Sequence, residues 1–395
     1  MAYGTTLLYE VMYLKRYVVV NEFFGSRVYD LVEKRETFFD KENTAKLKEL
    51  LKGNYTEINK PVEVKTDSLS APIKISMNIT KSCNLRCKQC FSDSGIIRDK
   101  ELTTEEIFKL FDDMYEHGTF FICIGGGEPF MRKDILEVLD YGNKKNLAIS
   151  VVSNGLLFTK ELLLQLNDKN LDILWISFEG LEVNHDNLRG KGTFKKAISA
   201  LELLQKYYKG KTAIRVSLNK DNVDECFELV KIAEKYSIDM IRFTPIIAFG
   251  RAKNENLTIL QEQYISFLKN VKNIKSTVKI IHPGTVYKDR FWINSNNFGC
   301  HCGKEAIWID ELGNYSPCIF LGPDFNSGNI KNESFINLWK KSLNSMKITG
   351  NNTCKSCSNY SKCRGGCRAR VFYETGNLNG VDPLCPLKKN LKIDL

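Results

Sequence analysis

Several features that would assign this chain to a class of protein are absent from its sequence. No apolar run approaches the roughly 18 residues of a membrane-spanning helix, so we expect no membrane protein. Glu10 lies where a secretory signal would have its apolar core, so we expect a cytoplasmic location. The four histidines (His117, His185, His282 and His301) form no paired arrangement, so no catalytic acid or base can be named, and we expect ordinary surface or capping roles for His117 and for His185 in a loop.

A basic motif interleaved with aromatic residues is also missing. The net charge of +10 comes from lysines scattered along helical patterns, which favours a solvated surface over a nucleic-acid partner.

Cysteine, in contrast, is abundant. In a reducing cytosol, clustered cysteines indicate metal ligands rather than disulfides. Eleven of the thirteen are clustered: Cys83, Cys87 and Cys90 near the front, and Cys300, Cys302, Cys318, Cys354, Cys357, Cys363, Cys367 and Cys385 in the last hundred residues. Cys123 and Cys226 stand apart in apolar periodic segments, where we expect buried structural thiols.

The middle of the chain alternates strand and helix patterns. Six strand–helix repeats run from "PIKISMNIT" to "IDMIRFTPIIAFG", with strands that we expect to be apolar on both faces and Thr104 as an N-cap of the first helix. Such repeats build a parallel sheet whose sites lie at the carboxyl ends of the strands. We therefore predict an α/β protein with an open, partial (β/α)6 barrel over residues 71–283. Residues 1–70 are predicted to form a small α+β unit, and residues 284–395 a cysteine-rich domain.

The first cysteine group follows the first barrel strand with the spacing C-x3-C-x2-C. A structural zinc takes four protein ligands, and so does an ordinary 4Fe-4S cube. Three thiolates on a cube leave one iron open to another ligand. The alternative is a zinc site completed by a distant fourth residue.

Three further motifs end the next three strands: "GGGEPF" (125–130), "SNG" (153–155) and "SFEG" (177–180). Gly126 and Gly127 allow close backbone approach to a ligand, Glu128 offers a carboxylate to a cationic amino group, and Pro129 stiffens the turn. Each motif alone is more often a simple turn. Four motifs at one end of four consecutive strands indicate a binding site.

Together the cysteine triplet, the GGEP motif and the partial barrel resemble the radical S-adenosylmethionine (SAM) superfamily over residues 72–283. The resemblance implies a 4Fe-4S cluster on Cys83, Cys87 and Cys90 whose open iron binds the amino and carboxylate groups of SAM. It also implies reductive cleavage of SAM to a 5′-deoxyadenosyl radical that abstracts a substrate hydrogen atom.

The other site residues are carried over from the same resemblance. It implies that Gly126, Gly127 and Glu128 hold the amino group of SAM, that Ser153, Asn154 and Ser177 lie near its ribose and sulfonium, and that Arg189 lies near its carboxylate.

Two residues depart from the family pattern. Gln89 replaces the usual aromatic or histidine before the third cysteine, where Phe91 could compensate at the adenine, and Glu179 replaces the usual Asp.

The C-terminal cysteines have the spacing G-x4-C, then C-x2-C-x5-C-x3-C, then a lone Cys. Pairs of this kind alone are as typical of zinc as of iron. With Cys300 or Cys302 in front, the pattern resembles the seven-cysteine SPASM extension, which implies one or two auxiliary 4Fe-4S clusters. In that family Cys354, Cys357, Cys363 and Cys385 would hold the outer cluster, and Cys318, Cys367 and the upstream cysteine the inner one.

Three SAM-cluster ligands and two complete auxiliary cubes need eleven cysteines, which equals the clustered number. If both Cys300 and Cys302 bind, the inner cluster is closed. If only one binds, an open iron could hold a substrate thiolate.

For the substrate, SPASM proteins commonly act on peptides, and the layout of residues 1–70 resembles a PqqD-like leader-recognition element. A cap that merely packs over the barrel is the alternative. We therefore expect a maturase of a ribosomally made peptide, bound through its leader by strand addition, that installs a Cys thioether as sactipeptide and ranthipeptide synthases do. A ferredoxin or flavodoxin would supply electrons. The alternatives are a sulfatase-maturing-type dehydrogenase that makes formylglycine, and a non-enzymatic iron–sulfur or zinc module.

Overall fold

The computed structural model describes residues 15–58, 68–96, 99–283, 300, 302–346 and 351–387. Within them the strands are β1 (Tyr17–Glu22), β2 (Gly25–Asp30), β3 (Arg35–Asp40), β4 (Tyr55–Ile58), β5 (Lys74–Thr80), β6 (Phe121–Gly126), β7 (Ala148–Ser153), β8 (Ile173–Ser177), β9 (Thr212–Leu218), β10 (Met240–Pro245), β11 (Lys279–Ile281), β12 (Ala306–Ile309), β13 (Asn314–Ser316) and β14 (Gly328–Asn329). The helices are α1 (Lys41–Leu51), α2 (Thr104–Glu116), α3 (Ile135–Lys144), α4 (Lys160–Asn167), α5 (Glu182–Arg189), α6 (Thr193–Tyr207), α7 (Cys226–Lys235), α8 (Gln261–Val271), α9 (Phe335–Ser345), α10 (Asn352–Lys355), α11 (Tyr360–Cys363) and α12 (Arg368–Thr375).

The central sheet has ten strands in the order β11-β10-β9-β8-β7-β6-β5-β12-β13-β14. Strands β5 to β11 are parallel neighbours in chain order, and helices join them. This confirms the predicted α/β fold with a parallel sheet and all six predicted strands. A seventh strand, β11, and the parallel pairing of β12 with β5 were not predicted. The three-residue β11 is too short for a clear period-two pattern, and the β12 pairing joins segments more than 200 residues apart.

The two faces of the sheet differ in polarity. On β9, Ile214 and Val216 are fully buried, whereas Arg215 and Ser217 line a cavity on the inner face. The expectation that the strands are apolar on both faces is therefore wrong, because the inner face surrounds a polar cavity rather than a packed core. Cys123 lines the same cavity instead of lying in the core, since its position on β6 has the inward phase.

Two local assignments also change. Helix α2 is capped by Thr103, not Thr104, because the Thr103 side chain accepts from the Glu106 N–H while the Glu106 side chain accepts from the Thr103 N–H. His117 follows the last residue of this helix, as predicted. His185 lies in helix α5 and is fully buried, so its predicted loop position is wrong.

The N-terminal residues form a four-stranded sheet of order β3-β2-β1-β4, with α1 following β3. Tyr29 stacks on Phe120 at 4.2 Å between ring centroids, and its hydroxyl donates to the carbonyl oxygen of Asn146 at 3.0 Å. The buried guanidinium of Arg27 donates to the carbonyl oxygen of Gly118 at 2.9 Å. Because Gly118, Phe120 and Asn146 immediately precede β6 and β7, this sheet packs on the amino ends of the barrel strands.

The C-terminal segment extends the central sheet through β12, β13 and β14 and then covers it with α9. Trp339 of α9 is fully buried and donates from its indole nitrogen to the carbonyl oxygen of Leu69 at 2.9 Å. In the described residues, no helix is both long enough and apolar enough to cross a membrane.

Candidate functional site

A cavity of about 230 Å³ opens at the carboxyl ends of the barrel strands. The predicted site residues that line it are Cys83, Cys87, Cys90, Phe91, Gly126, Gly127, Ser153, Asn154, Ser177 and Arg189. Glu128 and Pro129 are buried behind its wall. The structure thus brings the four strand-end motifs together around one space.

The three N-terminal cysteines lie in a segment that we call the cysteine loop, residues 82–95. Its two ends pair with each other, since the N–H of Cys83 donates to the carbonyl oxygen of Gly95 at 3.3 Å, and the N–H of Gly95 to that of Lys81 at 2.9 Å. Burial raises the pKa of the Cys83 thiol to about 11. The Cys83 thiol is therefore neutral at pH 7, and a metal bound there would have to displace its proton.

The glycine-rich turn holds the start of this loop. The N–H groups of Gly127 and Glu128 donate to the carbonyl oxygens of Thr80 and Ser82, both at 2.8 Å. A Cβ atom on Gly127 would lie 2.0 Å from the Ser82 oxygen, and Gly126 has a φ of +111°. The motif needs glycine because the backbone of the turn touches the backbone of the cysteine loop.

Glu128 ties the end of β6 to the end of β7. Its carboxylate accepts from the Ser153 hydroxyl and from the Asn154 N–H, both at 2.8 Å. Burial raises the pKa of Glu128 to about 7, although these donors oppose the shift. Its oxygen atoms therefore bond protein groups rather than face the cavity.

Glu179 and Arg189 form a buried ion pair beside Cys87. Oε1 of Glu179 lies 2.6 Å from Nη2 of Arg189, and Oε2 accepts from the Ser217 N–H at 2.6 Å. Burial alone would raise the pKa of Glu179, but the Arg189 guanidinium outweighs burial and the pKa is lowered. Gln89 donates to the same carboxylate at 3.1 Å, so the two departures from the family pattern contact each other.

His185 contacts the backbone of Glu179 in this pair. Its Nδ1 accepts from the Glu179 N–H at 3.2 Å, and its ring packs against Phe178 and Phe194. Burial lowers the pKa of His185 to about 4, so the ring is neutral at pH 7. His301 lies outside the described residues.

Arg251 lies in the turn after β10 and donates hydrogen bonds to the cysteine loop, although it was not identified from the sequence. Its Nε donates to the carbonyl oxygen of Cys87 at 2.8 Å, and its Nη1 to that of Ser94 at 2.8 Å. The same Nη1 lies 2.6 Å from the carboxylate of Asp93. Arg251 follows a barrel strand, as the four predicted motifs do, and this position was the signal in the sequence that could have identified it as a site residue.

Phe91 separates the first cavity from a second one of about 340 Å³, and it lines both. Its ring meets the ring of Phe320 edge to face at 5.6 Å. Asn78 also lines both cavities, whereas Trp308 and Asn314 of the C-terminal segment line only the second. The C-terminal segment therefore completes the walls of the site.

The C-terminal cysteines gather in two sets of four, and no disulfide joins any of the thirteen cysteines. In the first set, hydrogen bonds to Cys300 and Cys318, together with burial, raise the pKa of Cys302 well above its usual value. Burial raises the pKa of Cys367 to about 12, and Cys300 and Cys318 are among the groups that act on it. Both Cys300 and Cys302 thus belong to this set.

The second set is Cys354, Cys357, Cys363 and Cys385. Burial raises the pKa of Cys354, and the nearby Cys385 and Cys357 add to the shift. Burial likewise raises the pKa of Cys363, again with a contribution from Cys385. The grouping coincides with the interleaved pattern that the SPASM resemblance implies.

The family model for the radical SAM superfamily matches residues 77–233. The mycofactocin maturase MftC of Mycolicibacterium smegmatis is 31% identical over 332 residues, which cover 80% of this chain and 83% of MftC. The chain belongs to the radical SAM superfamily. It is therefore an enzyme of the group whose members bind SAM and a 4Fe-4S cluster.

Two further similarities span most of this radical SAM protein. The AdoMet-dependent heme synthase of Oleidesulfovibrio alaskensis is 26% identical over 345 residues, which cover 80% of this chain and 88% of the synthase. The crystal structure of Streptococcus suis SuiB bound to its precursor peptide SuiA superposes with a TM-score of 0.74 at 16% identity. It covers 93% of this chain and 98% of SuiB. At that identity the SuiB likeness establishes the fold, including the N-terminal sheet.

Proposed function

We propose that this radical SAM enzyme is a maturase of a ribosomally made peptide. The observation that carries the proposal is the N-terminal sheet packed on a radical SAM barrel, an arrangement shared with SuiB, whose structure contains a precursor peptide. The similarity to MftC, a maturase by name, supports the same substrate class.

The donor set fits a 4Fe-4S cluster. Cys83, Cys87 and Cys90 line one cavity together with polar groups suited to SAM. In the described residues, no His, Cys, Asp and Glu side chains converge closely enough to hold a single metal ion. Each thiolate of a 4Fe-4S cluster binds a different iron, so the cysteines that hold a cluster need not converge on one point as the ligands of a single metal ion do. A cluster and SAM held by these residues would supply the 5′-deoxyadenosyl radical needed to remove a hydrogen atom from the peptide.

The protein contributes binding and orientation to this chemistry. Gly126 and Gly127 bring backbone groups to the cavity wall, and Ser177 and Asn154 present polar groups suited to a ribose. Arg189 lines the cavity while Glu179 offsets its charge, so we assign it the SAM carboxylate as a pre-positioned guanidinium. We assign the amino group of SAM to the Glu128 carboxylate, which the bonds from Ser153 and Asn154 hold at the ends of β6 and β7.

We assign the two C-terminal cysteine sets to two auxiliary 4Fe-4S clusters. The inner one takes Cys300, Cys302, Cys318 and Cys367, and the outer one takes Cys354, Cys357, Cys363 and Cys385. Four thiolates close each cube, so the inner cluster would carry away the second electron rather than bind a substrate thiolate. A ferredoxin or flavodoxin would deliver the first electron.

The leader of the peptide would bind the N-terminal sheet. Strand β3 is an edge of that sheet, and an edge strand can pair with an extended peptide. Phe23 and Leu50 near this sheet are 43% and 77% exposed and offer apolar contacts. Because this sheet lies at the amino ends of the barrel strands, the peptide must run along the outside of the barrel to reach the cysteine loop.

The bond that we propose is a thioether between a cysteine sulfur and a carbon atom of the same peptide. Its formation would remove two hydrogen atoms from the peptide: one would leave carbon as a hydrogen atom, and the other would leave the thiol as a proton together with one electron, which the inner cluster would accept. The formylglycine alternative is less consistent with an N-terminal unit.

Co-expression with any short peptide encoded beside the gene tests the proposal. We expect a loss of two hydrogen atoms per crosslink, one fewer thiol that iodoacetamide can label, and 5′-deoxyadenosine release under anaerobic reduction. The variant with Cys83, Cys87 and Cys90 all replaced by alanine is the control. Release of 5′-deoxyadenosine that iron porphyrins stimulate and peptides do not would favour the activity named by the heme-synthase relatives instead.

A further inference from the structure

A short turn after β10, residues 247–251, contacts both the cysteine loop and the C-terminal cysteines. Ile247 and Phe249 pack in an apolar core with Cys318, and Arg251 bonds the cysteine loop. Only Gly250 separates the two contacts.

On the side of the cysteine loop the fit is close. The N–H of Arg251 donates to the carbonyl oxygen of Cys90 at 3.0 Å, in addition to the guanidinium bonds to Cys87 and Ser94. A Cβ atom on Gly250 would lie 2.3 Å from the carbonyl oxygen of Phe91, and Gly250 has a φ of +61°. The turn therefore lies directly on the backbone of the cysteine loop from Cys87 to Ser94.

On the C-terminal side, Phe249 is packed among the groups that surround the inner cysteine set. Its ring lies 5.4 Å from the ring of Tyr373, and a Cβ atom on Gly322 would come within 3.1 Å of it. The same apolar core contains Cys318 and is contacted by Cys302 and Cys367.

We propose that the turn 247–251 is a mechanical link through which the C-terminal cysteine core holds the cysteine loop in place. Phe249 anchors the turn in that core, and Arg251 is the positioning residue that fixes the backbone at Cys87 and Cys90. Without Phe249 in the core, the backbone that carries Arg251 is no longer held in place. The cysteine loop then loses the three hydrogen bonds that Arg251 donates to its backbone carbonyl oxygens. The packing of Phe249 in the C-terminal core thus becomes a condition for an ordered SAM-cluster site.

Trypsin cleavage of the iron-free protein measures order in the loop directly. Arg86 is an exposed cleavage site inside the cysteine loop, and Lys209, in the exposed connection after α6, is an internal reference. We expect Phe249→Ala and Arg251→Gln each to raise cleavage after Arg86 by about tenfold relative to Lys209, since local opening governs cleavage. Phe325→Ala is the matched control, because Phe325 packs on the same core through Phe372.

The reconstituted protein provides a second readout. We expect the Kd for SAM, measured by equilibrium dialysis, to rise in Phe249→Ala and Arg251→Gln but not in Phe325→Ala. Arg251→Lys should resemble Arg251→Gln, since an ammonium cannot bond both carbonyl oxygens in the guanidinium geometry. Equal cleavage after Arg86 in Phe249→Ala and Phe325→Ala would overturn the link, and full rescue by Lys would replace positioning with a charge effect. None of these measurements needs a peptide substrate, so they do not depend on the proposed maturase activity.

Discussion

Replacing Arg189 by methionine should destabilise the protein strongly, because it leaves the Glu179 carboxylate buried without its cation. The side chain of Glu179 is 1% exposed and that of Arg189 is 11% exposed. Removal of one partner from a buried pair typically costs about 3–5 kcal/mol, whereas exposed pairs contribute far less.

The double variant separates the energy of the Glu179–Arg189 ion pair from the energy that each side chain contributes by packing. Glu179→Gln keeps a group that can bond Ser217, and together with Arg189→Met it leaves no uncompensated charge. We therefore expect the double variant to be more stable than the sum of the single losses implies, with a coupling energy of about 2 kcal/mol. The exposed pair of Lys46 and Glu42, with side chains 63% and 78% exposed, is the control and should show coupling within error of zero.

Urea unfolding of the iron-free, reduced protein, followed by tryptophan fluorescence, measures all of these variants at pH 7. Unchanged m-values would show that the same surface is exposed on unfolding in each of them. If Arg189→Met cost less than about 1 kcal/mol, or if the buried cycle gave no more coupling than the exposed one, the argument that Glu179 is ionised in the folded protein would be refuted.

Three further predictions concern His185, Gly127 and the leader of the precursor peptide. His185 has a pKa of about 4 in the folded protein and 6.5 when free, so its contribution to stability is complete above pH 6.5 and is lost as the pH falls towards 4. Between these pH values, the free energy of unfolding from urea titrations should fall by about 3 kcal/mol more in the wild type than in His185→Asn. Gly127→Ala should abolish SAM binding, because its Cβ would lie 2.0 Å from the Ser82 oxygen, whereas Gly125→Ala, with 3.8 Å of clearance, should keep wild-type thermal stability. A precursor peptide should lose modification, by mass spectrometry, when fewer than about six residues separate its leader from its modified segment, since a six-residue strand spans about 20 Å.

The sequence predicted the repeating part of the fold well, because hydrophobic periodicity and helix caps are local signals. It failed where the environment of a strand depends on closure of the sheet. Cys123 sits in an apolar run, yet it lines the cavity, since residues on the inward phase of β6 face an interior that the other strands enclose. The pairing of β12 with β5 joins residues 306–309 to residues 74–77, and no local pattern could reveal it.

The lining of the site was largely predictable, since short motifs at strand ends carry it. Its supports were not. Helix α5, which supplies His185 and Arg189, has only one other buried residue, Leu188, and so gave little periodic signal. Glu128 was predicted to face a ligand, but its oxygens bond Ser153 and Asn154 in the structure, and only the fold brings those donors to it.

The cysteine loop is therefore short in sequence but depends on much of the chain. The N–H of Glu128 holds its start at Ser82, the carbonyl oxygen of Leu188 accepts from the N–H of Lys88 at 2.8 Å, and Arg251 holds its end. These supports follow three different barrel strands, β6, β8 and β10. The cluster that we propose on this loop would have only three protein ligands and would keep its fourth iron accessible to SAM, so the loop could not be buried for rigidity. Fixing its backbone from several sides gives the same rigidity and leaves the cavity open, which accounts for the placement of supports beneath and beside the loop.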